Sequence, residues 1–135
     1  MANAIYPKYK ELLLGTQTAS SLTSGTVKAA LIDTGTYTYN AAHDFWNDAV
    51  AGVIGTPQTI GTKTVTNGTF DGDNVTYTAV SGASVEAIIL YIDTGGADST
   101  DPLVAYIDTS VTGLPVTPNG GDITTTWNAS GIFTI

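Results

Sequence analysis

Ser84-Val85-Glu86-Ala87-Ile88-Ile89-Leu90-Tyr91-Ile92-Asp93-Thr94-Gly95 is the longest apolar run in the chain, and its reading decides the fold. A strand with one wet face alternates apolar and polar residues. This run barely does, and Glu86 is its only charge before Asp93. Two readings fit: a strand covered on both faces, or a buried helix. The run is short and rich in Ile, and Gly82 and Gly95-Gly96 flank it, which favours the strand. We take it as the central strand of a β-protein, with Leu103-Val104-Ala105-Tyr106-Ile107 as a second strand of the same two-sided kind.

Other strands lie to either side. Thr26 to Ile32 reads as a strand with Val27, Ala29 and Leu31 pointing one way and Lys28 the other. Thr62 to Thr66 leads into Asn67-Gly68, a tight-hairpin signal. Asp71-Gly72-Asp73-Asn74 is a second turn, followed by Val75 to Ala79 with Val75, Tyr77 and Ala79 inward. Ile123, Thr125 and Trp127 alternate inward, and Ile132 to Ile135 forms a short pairing strand. The Gly- and Pro-punctuated stretches 49–61, 95–102 and 112–121 read as loops. About seven or eight short strands between turn signals are the pattern of an all-β protein, a single jelly-roll-like antiparallel β-sandwich.

Two helical pieces are expected. Residues 6–15 have Pro7 at the first helical position, Tyr9, Leu12 and Leu13 on one face, and Gly15 as a C-terminal cap. Asn40 can cap a short helical turn over residues 41–48. The chain is thus divided into an N-terminal segment, 1–25, with its short helix and a polar linker over 16–25, and a sandwich domain, 26–135.

The totals exclude several function classes. With 135 residues the chain can bury roughly two-thirds of its unfolded surface as one domain, and with no cysteine it has no disulfide staple. The N-terminus lacks the apolar stretch of a signal peptide, and no run approaches the ~18 apolar residues of a membrane span, so no membrane partner is expected. The charge is lopsided. The bases are Lys8, Lys10, Lys28 and Lys63, and residues 64–135 hold eight acids and no base, which supplies the whole net charge of −8. That balance repels phosphates, so no nucleic-acid partner is expected.

Catalytic chemistry finds no footing. There is one histidine, His43, no cysteine, and no Gly-x-Ser-x-Gly elbow, so His43 reads as a surface or interface residue. Asp71, Asp73 and Asn74 begin like a calcium loop but lack its Gly and distal Glu, and read as a turn. Gly95-Gly96 and Gly120-Gly121 lack the Lys and the helix of a phosphate loop. The phrase Ile-Asp-Thr closes three strands, at Asp33, Asp93 and Asp108. It reads as a strand-exit turn, with a cation site built from the three carboxylates as the sharper alternative. Trp46, Trp127 and the seven tyrosines read as core or interface, with a sugar-binding platform as the rival. No enzyme, cofactor or metal is therefore expected.

The chain resembles a family of small structural proteins of tailed bacteriophages. The likeness runs nearly end to end, through Asn3-Ala4-Ile5-Tyr6-Pro7-Lys8-Tyr9-Lys10, Gly25-Thr26-Val27-Lys28-Ala29 and Tyr37-Thr38-Tyr39-Asn40-Ala41-Ala42-His43. It continues through Val85-Glu86-Ala87, Leu90-Tyr91-Ile92-Asp93-Thr94-Gly95 and Gly113-Leu114-Pro115-Val116-Thr117-Pro118-Asn119-Gly120-Gly121-Asp122-Ile123. The resemblance implies a capsid cement (decoration) protein on the outer surface of the virion, made in the host cytoplasm. Its partners would be the major capsid protein and further copies of itself, as a homodimer or homotrimer. The capsid contact is then expected in the N-terminal segment, at Ile5, Tyr6, Pro7, Lys8, Tyr9 and Lys10, because aromatic anchors dominate interfaces. A phage tail or tail-tip structural protein and a carbohydrate-binding β-sandwich module are the alternatives.

Overall fold

The structure, a computed structural model, describes residues 3–15 and 21–135. Its regular elements run β1 (Ala4–Ile5), α1 (Pro7–Leu14), β2 (Thr26–Ile32), β3 (Val53–Thr59), β4 (Thr64–Thr66), β5 (Thr69–Asp71) and β6 (Val75–Tyr77). They continue β7 (Ala87–Asp93), β8 (Leu103–Ile107), β9 (Val111–Thr112), β10 (Ile123–Trp127) and β11 (Phe133–Thr134). All pairings are antiparallel. Strand β7 is the middle of a five-stranded sheet in the order β1-β8-β7-β2-β3. Two three-stranded sheets, β6-β10-β9 and β11-β5-β4, complete the sandwich-like body.

Every residue of β7 from Ala87 to Ile92 is buried, as the unbroken apolar run requires. Successive side chains leave a strand on opposite faces, so both faces of β7 must be covered. On one face Tyr91 stacks flat on Trp46 at 4.2 Å, and Tyr106 of the neighbouring strand meets Tyr39 at 5.5 Å, so the 37–46 segment is the cover. On the other, Tyr77 of β6 reaches β2 and donates its hydroxyl to the Ala29 carbonyl at 3.1 Å. Strand β2, expected to show Lys28 alone on its second face, is covered there too, with Ala30 and Ile32 at 0 % exposure.

Local signals explain the edges. Asn67 and Gly68 take φ of +51° and +81°, the two left-handed residues of a tight turn whose twist matches its strands, here β4 and β5. Strand β8 carries a bulge, because Leu90 faces Ala105 while Tyr91 faces Leu103. The extra residue, Val104, turns its carbonyl to the Tyr6 N–H at 3.0 Å.

Several expectations are corrected. The loop read over 49–61 contains β3, which pairs with β2 from the sheet edge. Its Gly55 and Pro57 were signs of a loop, but they sit in a register shift on an edge strand, where a missing donor costs nothing. The helical turn read over 41–48 shrinks to a 3-10 turn at Trp46–Asp48, with another at Val50–Gly52, because Asn40 closes a turn on the Ala42 N–H instead. Ala79 is exposed rather than inward, at a φ of +52°. Gly15 ends α1 in an extended rather than left-handed conformation, and Leu13 is 41 % exposed. Of the linker read over 16–25, residues 16–20 lie outside the described residues.

The N-terminal segment is built into the body. Strand β1 extends the main sheet, and Tyr6 and Tyr9 are 0 % and 1 % exposed. Loss of a fully buried aromatic costs about 3–5 kcal/mol, against a typical total of about 5–15 kcal/mol. Deletion of residues 1–10 is therefore expected to unfold the chain or lower its urea midpoint steeply. A truncated chain with an unchanged midpoint would refute this packing account.

Candidate functional site

The expected docking residues divide into two groups. Tyr6 sits in the core with its ring 5.1 Å from Tyr39. Its hydroxyl shares a hydrogen bond of 2.8 Å with the Tyr37 hydroxyl, which in turn lies 2.9 Å from His43 Nδ1. Burial, reinforced by the Tyr37 hydrogen bond, pushes the Tyr6 hydroxyl far above its ordinary pKa, and burial alone does so for Tyr9. These rings hold the body together. Ile5 is half-buried in β1, whereas Pro7 and Lys10 are exposed and Lys8 pairs with Glu11 at 3.0 Å across one helical turn.

The acids serve the turns. Asp33 Oδ1 accepts the Gly35 N–H and Asp93 Oδ1 the Gly95 N–H, both at 2.8 Å, as strand-exit turns require. The following threonines donate twice each to a second carboxylate. Thr34 uses its N–H (3.0 Å) and hydroxyl (2.9 Å) on Glu86 Oε1, and Thr94 uses its N–H (2.9 Å) and hydroxyl (2.7 Å) on Asp101 Oδ1. At the third turn Asn3 Oδ1 accepts the N–H groups of Asp108 (2.8 Å) and Thr109 (2.9 Å). Because β2 and β7 are antiparallel, Asp33 and Asp93 lie at opposite ends of the sheet, which rules out a site shared by all three aspartates. Among the described residues no group of three or more His, Asp or Glu side chains is placed to hold a metal ion. Asp71, Asp73 and Asn74 likewise accept turn hydrogen bonds, from Gly72, Thr62 and Trp127. Both tryptophans are buried, with Trp127 Nε1 donating to the Asp73 carbonyl at 2.9 Å.

The surface feature with chemistry to offer is apolar. Among the described residues the exposed large hydrophobic ones are Leu13 (41 %), Leu14 (90 %), Val65 (52 %) and Ile135 (58 %). Leu13, Val65 and Ile135 line one groove of about 390 Å³ between α1 and the β11-β5-β4 sheet, floored by Tyr9, Phe70 and Phe133. Among the described residues no charged side chain lines it, on a chain of net charge −8. Leu14, the last residue of α1, does not line the groove. One signal for the groove was present in the sequence. Leu12-Leu13-Leu14 spreads three leucines around a helix, and one helix face cannot bury all of them. Val65 and Ile135 gave no such signal, because their exposure depends on which sheet face meets the body.

No protein-family model matches the chain, and no curated protein matches it. No helix among the described residues is long and apolar enough to cross a membrane.

One ion pair gives a pH-dependent prediction. The Lys28 ammonium, 2.9 Å from Asp93, holds that carboxyl below the usual carboxylate range, helped by the Gly95 N–H. A carboxylate with a depressed folded pKa contributes stability above its ordinary pKa of about 3.9, and the contribution is lost as pH falls through the folded value. Asp93→Asn keeps the turn acceptor and removes the charge. It should lower stability by at most about 1 kcal/mol at pH 7, with the difference shrinking below about pH 3.9 and lost once pH falls through the depressed folded value. Urea midpoints at pH 7 and at about pH 2 check this, and an undiminished deficit in acid would refute it.

Proposed function

We propose that this protein is an adhesion subunit of a virus particle: a bacteriophage capsid cement protein that binds the outer face of the major capsid protein shell and stabilises it. The observation that carries the reading is the apolar groove beside α1, a contact surface lined by no charged side chain among the described residues. Singly scattered exposed leucines would need no explanation, whereas apolar residues gathered around a groove offer a surface for contact. Leu13 of α1, Val65 of the hairpin and Ile135 are its exposed apolar contacts. A cement protein also needs a stiff body that does not rearrange, which a doubly covered central sheet supplies. Many weak copies on an icosahedral lattice add through multivalency, so one small groove per copy suffices. The expectation that Tyr6 and Tyr9 touch the capsid is replaced in this reading by the groove, because both rings are occupied within the chain.

The test is co-sedimentation with expanded shells of the matching phage, comparing the wild type with Leu13→Asp and Val65→Asp. Both sites are exposed, so folding should be unchanged within about 0.5 kcal/mol by urea titration. Shell occupancy should fall at least about tenfold, from loss of roughly 1.4 kcal/mol or more per site. Full occupancy by both variants would overturn the reading. Recovery of the protein with isolated tails rather than heads would favour the tail-protein alternative.

A further inference from the structure

A second cavity lies at the opposite face of the body from the hairpin sheet and belongs to no part of the adhesion surface. It measures about 280 Å³ and is lined by Tyr37, Tyr39, Tyr106, Glu86, Asp108 and the Thr34 turn. Ligand pockets for drug-sized molecules span about 300–1,000 Å³, so this one has room for a group the size of an amino-acid side chain.

Its walls are of two kinds. The aromatic wall is built from rings held in place by one another. Tyr39 lies 5.1 Å from Tyr6 and 5.5 Å from Tyr106, and the Tyr37 hydroxyl is fixed between Tyr6 and His43. Tyr39 is only half-buried and presents the accessible ring. The second wall is acidic. Glu86 is anchored through Oε1 by both donors of Thr34, at 3.0 and 2.9 Å, so its position is set by the strand-exit turn. Neither described ion pair, Lys8–Glu11 or Lys28–Asp93, includes Glu86. The carboxylates reach the aromatic wall: Tyr106, raised mainly by burial, is raised further by Asp108 and Glu86. No lysine lines the cavity.

Electron-rich ring faces and a fixed carboxylate around a side-chain-sized space are the chemistry that recognises an organic cation. We propose that this cavity binds an alkylammonium or guanidinium group, of the kind carried by a lysine or arginine side chain or by a small free amine. Glu86 supplies the charge and hydrogen-bond acceptor, and Tyr39 with Tyr106 supplies the ring faces. A sugar would also stack on tyrosine and could donate a hydroxyl to Glu86, but it brings no positive charge to match the two carboxylates. The inference stands independently of the capsid reading, since the groove beside α1 shares no lining residue with this cavity.

The test is an NMR titration of the full chain with N-acetyl-arginine amide, using N-acetyl-citrulline amide as the uncharged isostere. Further arms are tetramethylammonium, spermidine and glucose. Arginine amide should shift the amides of residues 34–39, 86 and 106 and saturate in the range of about 1–10 mM, the affinity of one charge contact and one ring contact. Citrulline amide and glucose should leave them in place. Glu86→Gln retains an oxygen for Thr34 and should weaken arginine binding about tenfold with the fold unchanged. Tyr39→Leu should weaken arginine and tetramethylammonium alike, by about fivefold. Spermidine binding more tightly than arginine amide would assign the site to free amines, and the reverse order to protein side chains. Equal shifts from citrulline, binding of glucose in place of the cations, or no saturation below about 50 mM would overturn the proposal.

Discussion

Burial of β7 on both faces is the constraint on which the rest of the molecule depends. A strand with a wet face can be finished by one neighbouring layer, whereas Ile88, Ile89, Leu90 and Tyr91 together demand two. One cover is the 37–46 segment, where Trp46 stacks on Tyr91 and Tyr39 meets Tyr106. The other is the pair of small sheets, tied across by the Tyr77 hydrogen bond to Ala29. The N-terminal segment is drawn in by the same demand. The bulge at Val104 turns a carbonyl out for the Tyr6 N–H, and the Tyr6 ring then closes the aromatic face.

The division of labour between polar and apolar surface follows. Strands that leave a doubly covered sheet must turn sharply, and the Ile-Asp-Thr phrase does this with the aspartate bonding two residues ahead. The two threonine–carboxylate pairs, Thr34 with Glu86 and Thr94 with Asp101, brace the turns at the two ends of β7. With so much of the acidic surface given to turns, the apolar groove between α1 and the hairpin sheet is chemically distinct from its surroundings.

Much of the sheet was legible in the sequence because its signals are local. The runs over 87–93 and 103–107 are apolar on both faces, 26–32 shows its apolar face in Val27, Ala29 and Leu31, and Asn67-Gly68 announces its own turn. The all-β sandwich-like class follows from those signals. Strand β3 was hidden because Gly55 and Pro57, which break an interior strand, are tolerated in a register shift on an edge. The fate of Tyr6 and Tyr9 was also hidden. An aromatic residue near a chain end reads equally as an anchor for a partner or for its own core, and only the bulge on β8 decides between them. The groove and the tyrosine–carboxylate cavity join residues as far apart as Leu13 with Ile135 and Thr34 with Tyr106, so no spacing in the sequence could display them.

The central claim is a rigid body that adheres through one apolar groove. Amide hydrogen exchange on the free protein and on the protein bound to expanded phage shells tests it most directly. The account predicts that residues 27–32, 87–92 and 103–107 exchange slowest in both states, with new protection on binding confined to residues 9–15, 21–23, 64–70 and 132–135. New protection centred on another face, or a central strand that exchanges as fast as the loops, would contradict it.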